Sequence, residues 1–133
     1  MTSEHKILGI DYGSRYVGLA IGFAEKKISL PRPHLLRTSD LDLVGKISVL
    51  CRDENISQIV LGLPSFGRIR NKVLAFKKIL EKNFPNKVIL WNEDNSSQIT
   101  DFLSDELDKK RQKGKSDSMA ATVILQDFLD FKP

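Results

Sequence analysis

The amino-acid sequence predicts an α/β domain in which a mixed β-sheet is covered by helices on both faces. Residues 6–23 show the pattern of an apolar hairpin, and after them short apolar runs alternate with segments of helical spacing. An antiparallel hairpin followed by strand–helix–strand units gives a sheet with both antiparallel and parallel pairs. The 133 residues are expected to form one domain, residues 1–133, which buries roughly two-thirds of the unfolded chain's surface.

The hairpin is predicted to pair strands at Lys6–Asp11 and Val17–Phe23 through a turn at Tyr12–Tyr16. Asp11 is an acid at the end of an apolar strand, where a charge needs a partner. It could bind a divalent cation beside a phosphodiester, or the glycine-containing turn could hold nucleotide phosphates with its backbone N–H groups. Asp and Gly are also ordinary turn residues, so Asp11 could simply accept hydrogen bonds from the turn.

The later elements follow from the spacing of apolar residues. A short third strand, a helix, a buried strand, a second helix and a second buried strand are predicted at Ile28–Leu30, Leu41–Asn55, Gln58–Leu63, Lys72–Lys82 and Lys87–Trp91. Two more helices are expected beyond them. One carries Ile99, Phe102, Leu103 and Leu107, and the last follows Ser116 as a candidate N-cap.

Charge is distributed unevenly along the chain. Six basic residues and one acid lie between Arg68 and Lys82, five basic residues and no acid lie between Lys109 and Lys115, and Asn92–Asp108 holds six acids and no base. This arrangement suits a metal-dependent enzyme that acts on a polyanion, because carboxylates hold the cation while Lys and Arg hold phosphates. Each run could instead be a solvated helix face or a basic loop, since mixed surface charge is common.

The composition also bounds the cellular setting. Cys51 is the single cysteine and lies among residues at helical spacing, so a buried core thiol is expected and an internal disulfide is excluded. The polar residues at the start of the chain are not followed by an apolar run of signal-peptide length, and no segment is long enough to span a membrane. A cytoplasmic protein without membrane association is therefore expected.

Two further acids stand where such an enzyme would place them. Glu93 follows the apolar run that ends at Trp91, and open α/β sheets build their sites at the carboxyl ends of parallel strands. Asp117 precedes the last predicted helix, where an acid is also stabilised by the helix dipole. Either residue alone would be ordinary, but together with Asp11 they form a candidate set of metal ligands.

Four motifs, in this order along nearly the whole chain, resemble those of the RuvX (YqgF) family. They are Gly9-Ile-Asp-Tyr-Gly-Ser14 with Gly18-Leu-Ala20, then Ile59-Val-Leu-Gly-Leu-Pro64, Leu90-Trp-Asn-Glu93 with Ser96-Ser97, and Asp117 before Ala120-Ala-Thr-Val-Ile-Leu-Gln126. Family members are described as Holliday junction resolvases or as nucleases of the small-subunit ribosomal RNA precursor. The resemblance implies a ribonuclease H-like fold, with a five-stranded sheet and the first hairpin at its centre.

The resemblance also implies a site. Asp11, Glu93 and Asp117 correspond to the acidic triad of the family, and their oxygen ligands suit two Mg²⁺ or Mn²⁺ ions, which can stabilise both the attacking water and the departing oxygen. We expect Asp11 to bridge the ions and the other two acids to complete their shells. Basic residues around this triad are expected to position phosphates, namely Arg15, Arg68, Arg70 and Lys115.

The sequence departs from the family pattern at three places. Tyr16 stands where the family usually has Arg, Asn92 and Asp94 flank Glu93 where the family usually reads Asp-Glu-Arg, and the segment Ser65–Arg70 is several residues shorter than the family's loop. These positions lie in the motifs that would meet substrate. Substrate contacts are therefore expected to differ from those of the family, whereas the triad is complete.

Several functions remain open on this evidence. The expected partner is nucleic acid, either an RNA precursor or branched DNA, acted on by a monomer or a homodimer; a junction resolvase would need the symmetric dimer. A module that keeps the fold but binds nucleic acid without cutting it needs only the basic surface. The same hairpin opens sugar kinases and actin-like ATPases, but those need two lobes, and 133 residues supply one.

Overall fold

The computed structural model of the protein describes residues 5–92 and 118–131. Five strands and three helices lie within these ranges. They are β1 at Lys6–Asp11, β2 at Tyr16–Phe23, β3 at Ile28–Leu36, α1 at Asp40–Glu54, β4 at Ile56–Leu63, α2 at Arg68–Asn83, β5 at Val88–Asn92 and α3 at Ser118–Phe131. The helix predicted around Ile99–Leu107 and the cap predicted at Ser116 lie outside the described residues.

The strands form one mixed sheet in the order β3-β2-β1-β4-β5. β1 is the central strand and pairs antiparallel with β2 and parallel with β4, while β4 pairs parallel with β5. The predicted mixed sheet with the first hairpin at its centre is thus confirmed. Because β1, β4 and β5 run in the same direction, their carboxyl ends share one edge of the sheet.

Helices cover both faces of this sheet, as predicted. Side chains alternate along β1, so Leu8 and Ile10 pack in the core under α1 and α2, whereas Ile7 packs in a second core under α3. Cys51 lies in the first core, and its burial raises the pKa of the thiol to about 11. The expected buried core thiol is therefore confirmed.

The third strand is longer than the sequence predicts. It runs to Leu36 through Pro31 and Pro33, although proline normally ends a strand because it has no N–H to donate. Among the strands in the described ranges, β3 stands at the edge and pairs with β2 alone, and edge strands tolerate proline. This extension carries the chain to the start of α1, beside the turn that follows Asp11.

The first helix shows the usual signals at both ends. Ser39 caps its start by accepting a hydrogen bond from the Asp42 N–H at 3.1 Å, and Asn55 ends it in the left-handed conformation. Within residues 5–92 and 118–131 no helix is long and apolar enough to cross a membrane.

Candidate nucleic-acid cleavage site

The carboxyl edge of the three parallel strands brings the candidate residues together. Ile10 on β1 is in register with Leu61 on β4, which is in register with Leu90 on β5. Asp11, the loop after β4 and Asn92 therefore lie at the same edge of the sheet. Open α/β sheets place their ligands at this edge.

Asp11 is half-buried at the end of the central strand, opposite Gly18 of β2. The alternation along β1 puts it on the α3 side of the sheet, the same side as Ile7. The Leu19 N–H, next to Gly18, donates to the Ser118 hydroxyl at 3.2 Å. Ser118, the first described residue of α3, thus lies beside Leu19. Leu19 is next to Gly18, the residue that pairs with Asp11.

The other two acids of the triad and Lys115 lie outside the described residues. Glu93 directly follows Asn92, the last residue of β5, and Asp117 directly precedes Ser118, the first residue of α3. Within residues 5–92 and 118–131, no three acidic, histidine or cysteine side chains cluster as metal ligands would. Of the three predicted metal ligands, Asp11 is the one that lies within the described residues.

The turn after Asp11 is fastened by a network that the sequence did not reveal. Asp40 Oδ1 accepts hydrogen bonds from the Tyr12 hydroxyl and from Arg37 Nε, both at 2.7 Å. Arg37 also donates through Nη1 to the Ser14 carbonyl at 3.2 Å, and its backbone N–H donates to the Arg15 carbonyl at 2.8 Å. The turn is therefore held to the segment between β3 and α1.

Burial and the hydrogen bond to Asp40 raise the pKa of Tyr12 to about 12. The Tyr12 ring also packs against Phe76 of α2, with the ring centres 4.9 Å apart. Gly13 is needed in this turn because a Cβ there would lie 2.2 Å from the Tyr16 carbonyl oxygen. The residue after Asp11 is thus fixed in position and neutral at physiological pH.

Arg15 is exposed at the tip of the turn and stacks on the Tyr16 ring, with its guanidinium carbon 5.3 Å from the ring centre. Its side chain makes no ion pair with another residue in the described ranges. The guanidinium is exposed on the turn that follows Asp11.

Arg68 and Arg70 lie in the first turn of α2, not in a loop as the sequence analysis supposed for Ser65–Arg70. The helix starts at Gly67, whose φ of 94° favours glycine and which offers no side-chain cap. That absence of a capping side chain is why the pattern predicted a start at Lys72. Arg70 donates to the Pro64 carbonyl at 2.9 Å, while Arg68 is exposed.

Two basic residues in the first turn of a helix oppose the helix dipole, which favours acids there. A run of this kind is not explained by helix stability. Arg15 follows the carboxyl end of β1, and Arg68 and Arg70 follow that of β4, so all three lie at the same edge of the sheet as Asp11.

The fold is that of the ribonuclease H-like nucleases. The structure superposes on Thermus thermophilus RuvC in complex with a Holliday junction substrate with a TM-score of 0.65, covering 92% of each chain at 13% identity. It also resembles the fowlpox virus Holliday junction resolvase, with a TM-score of 0.56 and 14% identity over 94% of this chain and 98% of the other. At these identities the likeness defines the fold.

Comparison of sequences identifies the family. Residues 5–131 match the RuvX family, described as Holliday junction resolvase. A Chlamydia abortus protein named "Putative pre-16S rRNA nuclease" is 35% identical over 95% of this chain and 91% of its own length. A Staphylococcus haemolyticus protein of the same name is 33% identical over 95% and 96%. The chain belongs to the RuvX family of nucleases, which confirms the resemblance seen in its motifs.

Proposed function

We propose that this protein is a metal-dependent nuclease that hydrolyses a phosphodiester bond at the 5′ end of the small-subunit (16S) ribosomal RNA precursor. One observation carries the proposal. Asp11 ends the central strand at the edge where β5 ends at Asn92 and near which α3 starts at Ser118. The names of the relatives at 35% and 33% identity support the choice of RNA substrate.

In this proposal Asp11, Glu93 and Asp117 hold the metal. Glu93 and Asp117 are the sequence neighbours of Asn92 and Ser118, and this adjacency supports the proposal. Carboxylate oxygens are hard ligands and fit Mg²⁺ or Mn²⁺. When bound, a pair of such ions supplies a hydroxide nucleophile and neutralises charge on the departing oxygen. The protein itself needs no side-chain nucleophile.

The basic residues hold the substrate. We propose that Arg15, Arg68, Arg70 and Lys115 contact phosphates on either side of the bond that is cut. Arg15 extends from the turn after Asp11, while Arg68 and Arg70 extend from the first turn of α2. The hydrogen bond from Arg70 to the Pro64 carbonyl fixes that guanidinium, which lowers the entropy lost when it binds a phosphate.

A DNA substrate is the second candidate, because the family is described as Holliday junction resolvase. Concerted cutting of two strands would require a symmetric homodimer, whereas trimming of an RNA precursor is compatible with a monomer. In either case we propose a single domain, residues 1–133, that works in the cytoplasm. An actin-like ATPase is not proposed, since residues 5–131 match a nuclease family.

The test is cleavage of a ribosomal RNA precursor fragment and a four-way DNA junction, each with Mg²⁺, with Mn²⁺ and with chelator. Wild type is compared with Asp11→Asn, which keeps the side-chain shape but removes the charge. We expect metal-dependent cutting by wild type and a loss of about 100-fold or more in the variant. Circular dichroism serves as the folding control.

Each outcome decides something. Cutting of the RNA fragment alone supports the proposed substrate, and cutting of the junction alone replaces it with the DNA alternative. Full metal-dependent cutting by Asp11→Asn overturns the proposed triad. Binding of both substrates without cutting by either protein makes the chain a nucleic-acid-binding module, and the departures at Asn92 and Asp94 are then the first positions to restore.

A further inference from the structure

A small cavity lies beside the turn that follows Asp11, on the side of the sheet covered by α1 and α2. Its volume is about 150 Å³. Three parts of the chain line it with two residues each. They are the turn after β1 with Tyr12 and Ser14, the start of α1 and the residues just before it with Asp40 and Arg37, and α2 with Lys72 and Ala75.

One cation among the side chains that line the cavity has no ion-pair partner within the described residues. Asp40 and Arg37 form an ion pair at 2.7 Å, and the same carboxylate oxygen accepts the Tyr12 hydroxyl. These three side chains therefore satisfy one another. The Lys72 ammonium makes no ion pair or hydrogen bond with another described residue.

The Ser14 hydroxyl also lacks a partner among the described residues. The backbone carbonyl of Ser14 accepts a hydrogen bond from Arg37 Nη1, but the Ser14 hydroxyl has no hydrogen-bond partner within the described ranges. The cavity therefore offers an ammonium group and a hydroxyl donor fixed on two separate elements. Such a pair of donors is complementary to a singly charged oxyanion.

We propose that this cavity binds a backbone phosphate of the nucleic-acid strand, with Lys72 and Ser14 donating to its oxygens. The assignment rests on the proposed nuclease function and adds a phosphate site to the contacts of Arg15, Arg68, Arg70 and Lys115. Ser14 is three residues beyond Asp11, a reach of at most about 10 Å even in extended chain. Because the cavity lies on the α1 and α2 side of the sheet and the Asp11 side chain on the α3 side, we expect this phosphate to flank the bond that is cut.

The dimensions and lining fit a phosphate better than a base. A cavity of about 150 Å³ is smaller than the roughly 300–1,000 Å³ of pockets that enclose whole small molecules. The Tyr12 ring already packs against Phe76, so this aromatic is not free to stack on a base. A cation ligand is disfavoured, because the one carboxylate in the lining is neutralised by Arg37.

The experiment measures KM and kcat for metal-dependent cleavage at several salt concentrations. Lys72→Ala removes the charge, Ser14→Ala removes the hydroxyl, and Lys87→Ala is the matched control. Lys87 is an exposed lysine beside the amino end of β5, at the opposite edge of the sheet. Lys72 and Ser14 are also exposed, so all three variants are expected to fold, as melting curves will verify.

We expect Lys72→Ala to raise KM by about 3–10-fold with kcat little changed. The slope of log KM against log salt concentration should fall by about 0.7–0.9, the contribution of one phosphate contact. Ser14→Ala should raise KM by about 2–10-fold without changing the salt slope, because a neutral hydrogen bond releases no counterion. Lys87→Ala should match wild type in both quantities.

A second set of substrates locates the phosphate. Single phosphates near the cut are replaced in turn by neutral methylphosphonates. At one position the replacement should raise KM for wild type but leave Lys72→Ala unaffected, because the contact is already lost. The proposal is overturned if Lys72→Ala behaves like Lys87→Ala, or if no position distinguishes it from wild type.

Failure of this site and failure of the nuclease function can be told apart. If wild type cuts neither substrate, the proposed function fails. The same variants and methylphosphonates are then compared by the anisotropy of a labelled strand, which reports binding without cleavage. Equal affinity of wild type, Lys72→Ala and Lys87→Ala in that assay would overturn the phosphate site as well.

Discussion

The two ends of the sheet use their charges differently. At the amino end of β1, Glu54 pairs with Lys6 at 3.6 Å and also with Arg32, beside a cavity of about 210 Å³ lined mainly by apolar side chains. At the carboxyl end, Arg15, Arg68 and Lys72 make no ion pair with another residue of the described ranges. Lys6 and Arg32 at the amino end are thus paired with a carboxylate, whereas Arg15, Arg68 and Lys72 at the carboxyl end are not paired with one in the described ranges.

The two helices on one face both start at the carboxyl end of the sheet, and their first turns differ. α1 begins with the Ser39 cap and acids at Asp40 and Asp42, an arrangement that stabilises a helix. α2 begins after Gly67 with no side-chain cap and no acid in its first turn, and with basic residues instead. Each such cation costs about 0.3–1 kcal/mol against the helix dipole. The start of α2 is therefore less stabilised than that of α1, at the place where we propose that a polyanion binds.

The largest effect is expected from Ser118→Ala at the carboxyl end. The buried hydroxyl accepts from the Leu19 N–H at 3.2 Å and donates to the Arg32 carbonyl, so it joins α3 to β2 and β3. Removing it leaves both backbone groups unsatisfied and should cost about 1–3 kcal/mol of unfolding free energy. Cleavage should also fall, because Ser118 adjoins Asp117. Urea denaturation and single-turnover cleavage measure the two effects.

Ser57→Ala provides the control at the amino end. The Ser57 hydroxyl also donates to a strand carbonyl, that of Lys6 at 3.0 Å, but it is exposed, so water can replace it. We expect a change within about 0.5 kcal/mol and unaltered cleavage. Equal losses of stability and activity in Ser118→Ala and Ser57→Ala would contradict this. The hydrogen bonds of Ser118 that join α3 to the sheet would then not be what distinguishes the carboxyl end from the amino end.

The sequence predicted that Asp11 ends an apolar strand, and the structure places it half-buried at the end of β1. The sequence could not identify the role of Ser118, since a serine near a helix start is ordinarily a cap, and its actual partner Leu19 is 99 positions away. The network of Tyr12, Arg37 and Asp40 was missed for the same reason. Asp40 follows the Ser39 cap in the first turn of α1. The helix dipole already explains an acid at that position, so the sequence did not indicate its contacts with Tyr12 and Arg37.

The fold was predictable to a greater extent than the site. Alternation and apolar runs located β1, β2, β4 and β5 within two residues of their ends, because burial on both faces leaves a continuous apolar signal. β3 was predicted too short, since whether prolines are tolerated depends on the strand's position at the sheet edge. Glu93, Asp117 and Lys115 lie outside the described residues, so their roles stay predictions.

An intermediate effect is expected from Tyr12→Phe, which tests the fastening of the turn beside Asp11. Loss of the hydrogen bond to Asp40 should cost about 1 kcal/mol near neutral pH. The raised pKa of Tyr12 of about 12 means that its contribution is fully present below pH 10, the pKa of an unfolded tyrosine, and is lost between pH 10 and 12. The slope is about 1.4 kcal/mol per pH unit.

Denaturation curves of wild type and Tyr12→Phe at pH 8, 10 and 11 isolate this contribution, because titration of lysines and of Cys51 is common to both. The stability difference between the two proteins should shrink above pH 10 and then change sign or vanish. A difference that stays constant from pH 8 to 11 would show that the Tyr12 hydroxyl does not keep its proton through the Asp40 contact.

A small effect is expected from Glu54→Gln at the amino end. The carboxylate is a quarter exposed and its partners Lys6 and Arg32 are about a third exposed, so solvent screens both pairs. The loss should be about 0.5–1 kcal/mol in low salt and smaller at 1 M NaCl. Cleavage per folded molecule should be unchanged, because the Glu54 carboxylate lies beside Lys6 at the amino end of β1, away from Asp11. A KM shift as large as that of Lys72→Ala would mean that cations at both ends contact the substrate, since Glu54→Gln releases Lys6 and Arg32 from their partner.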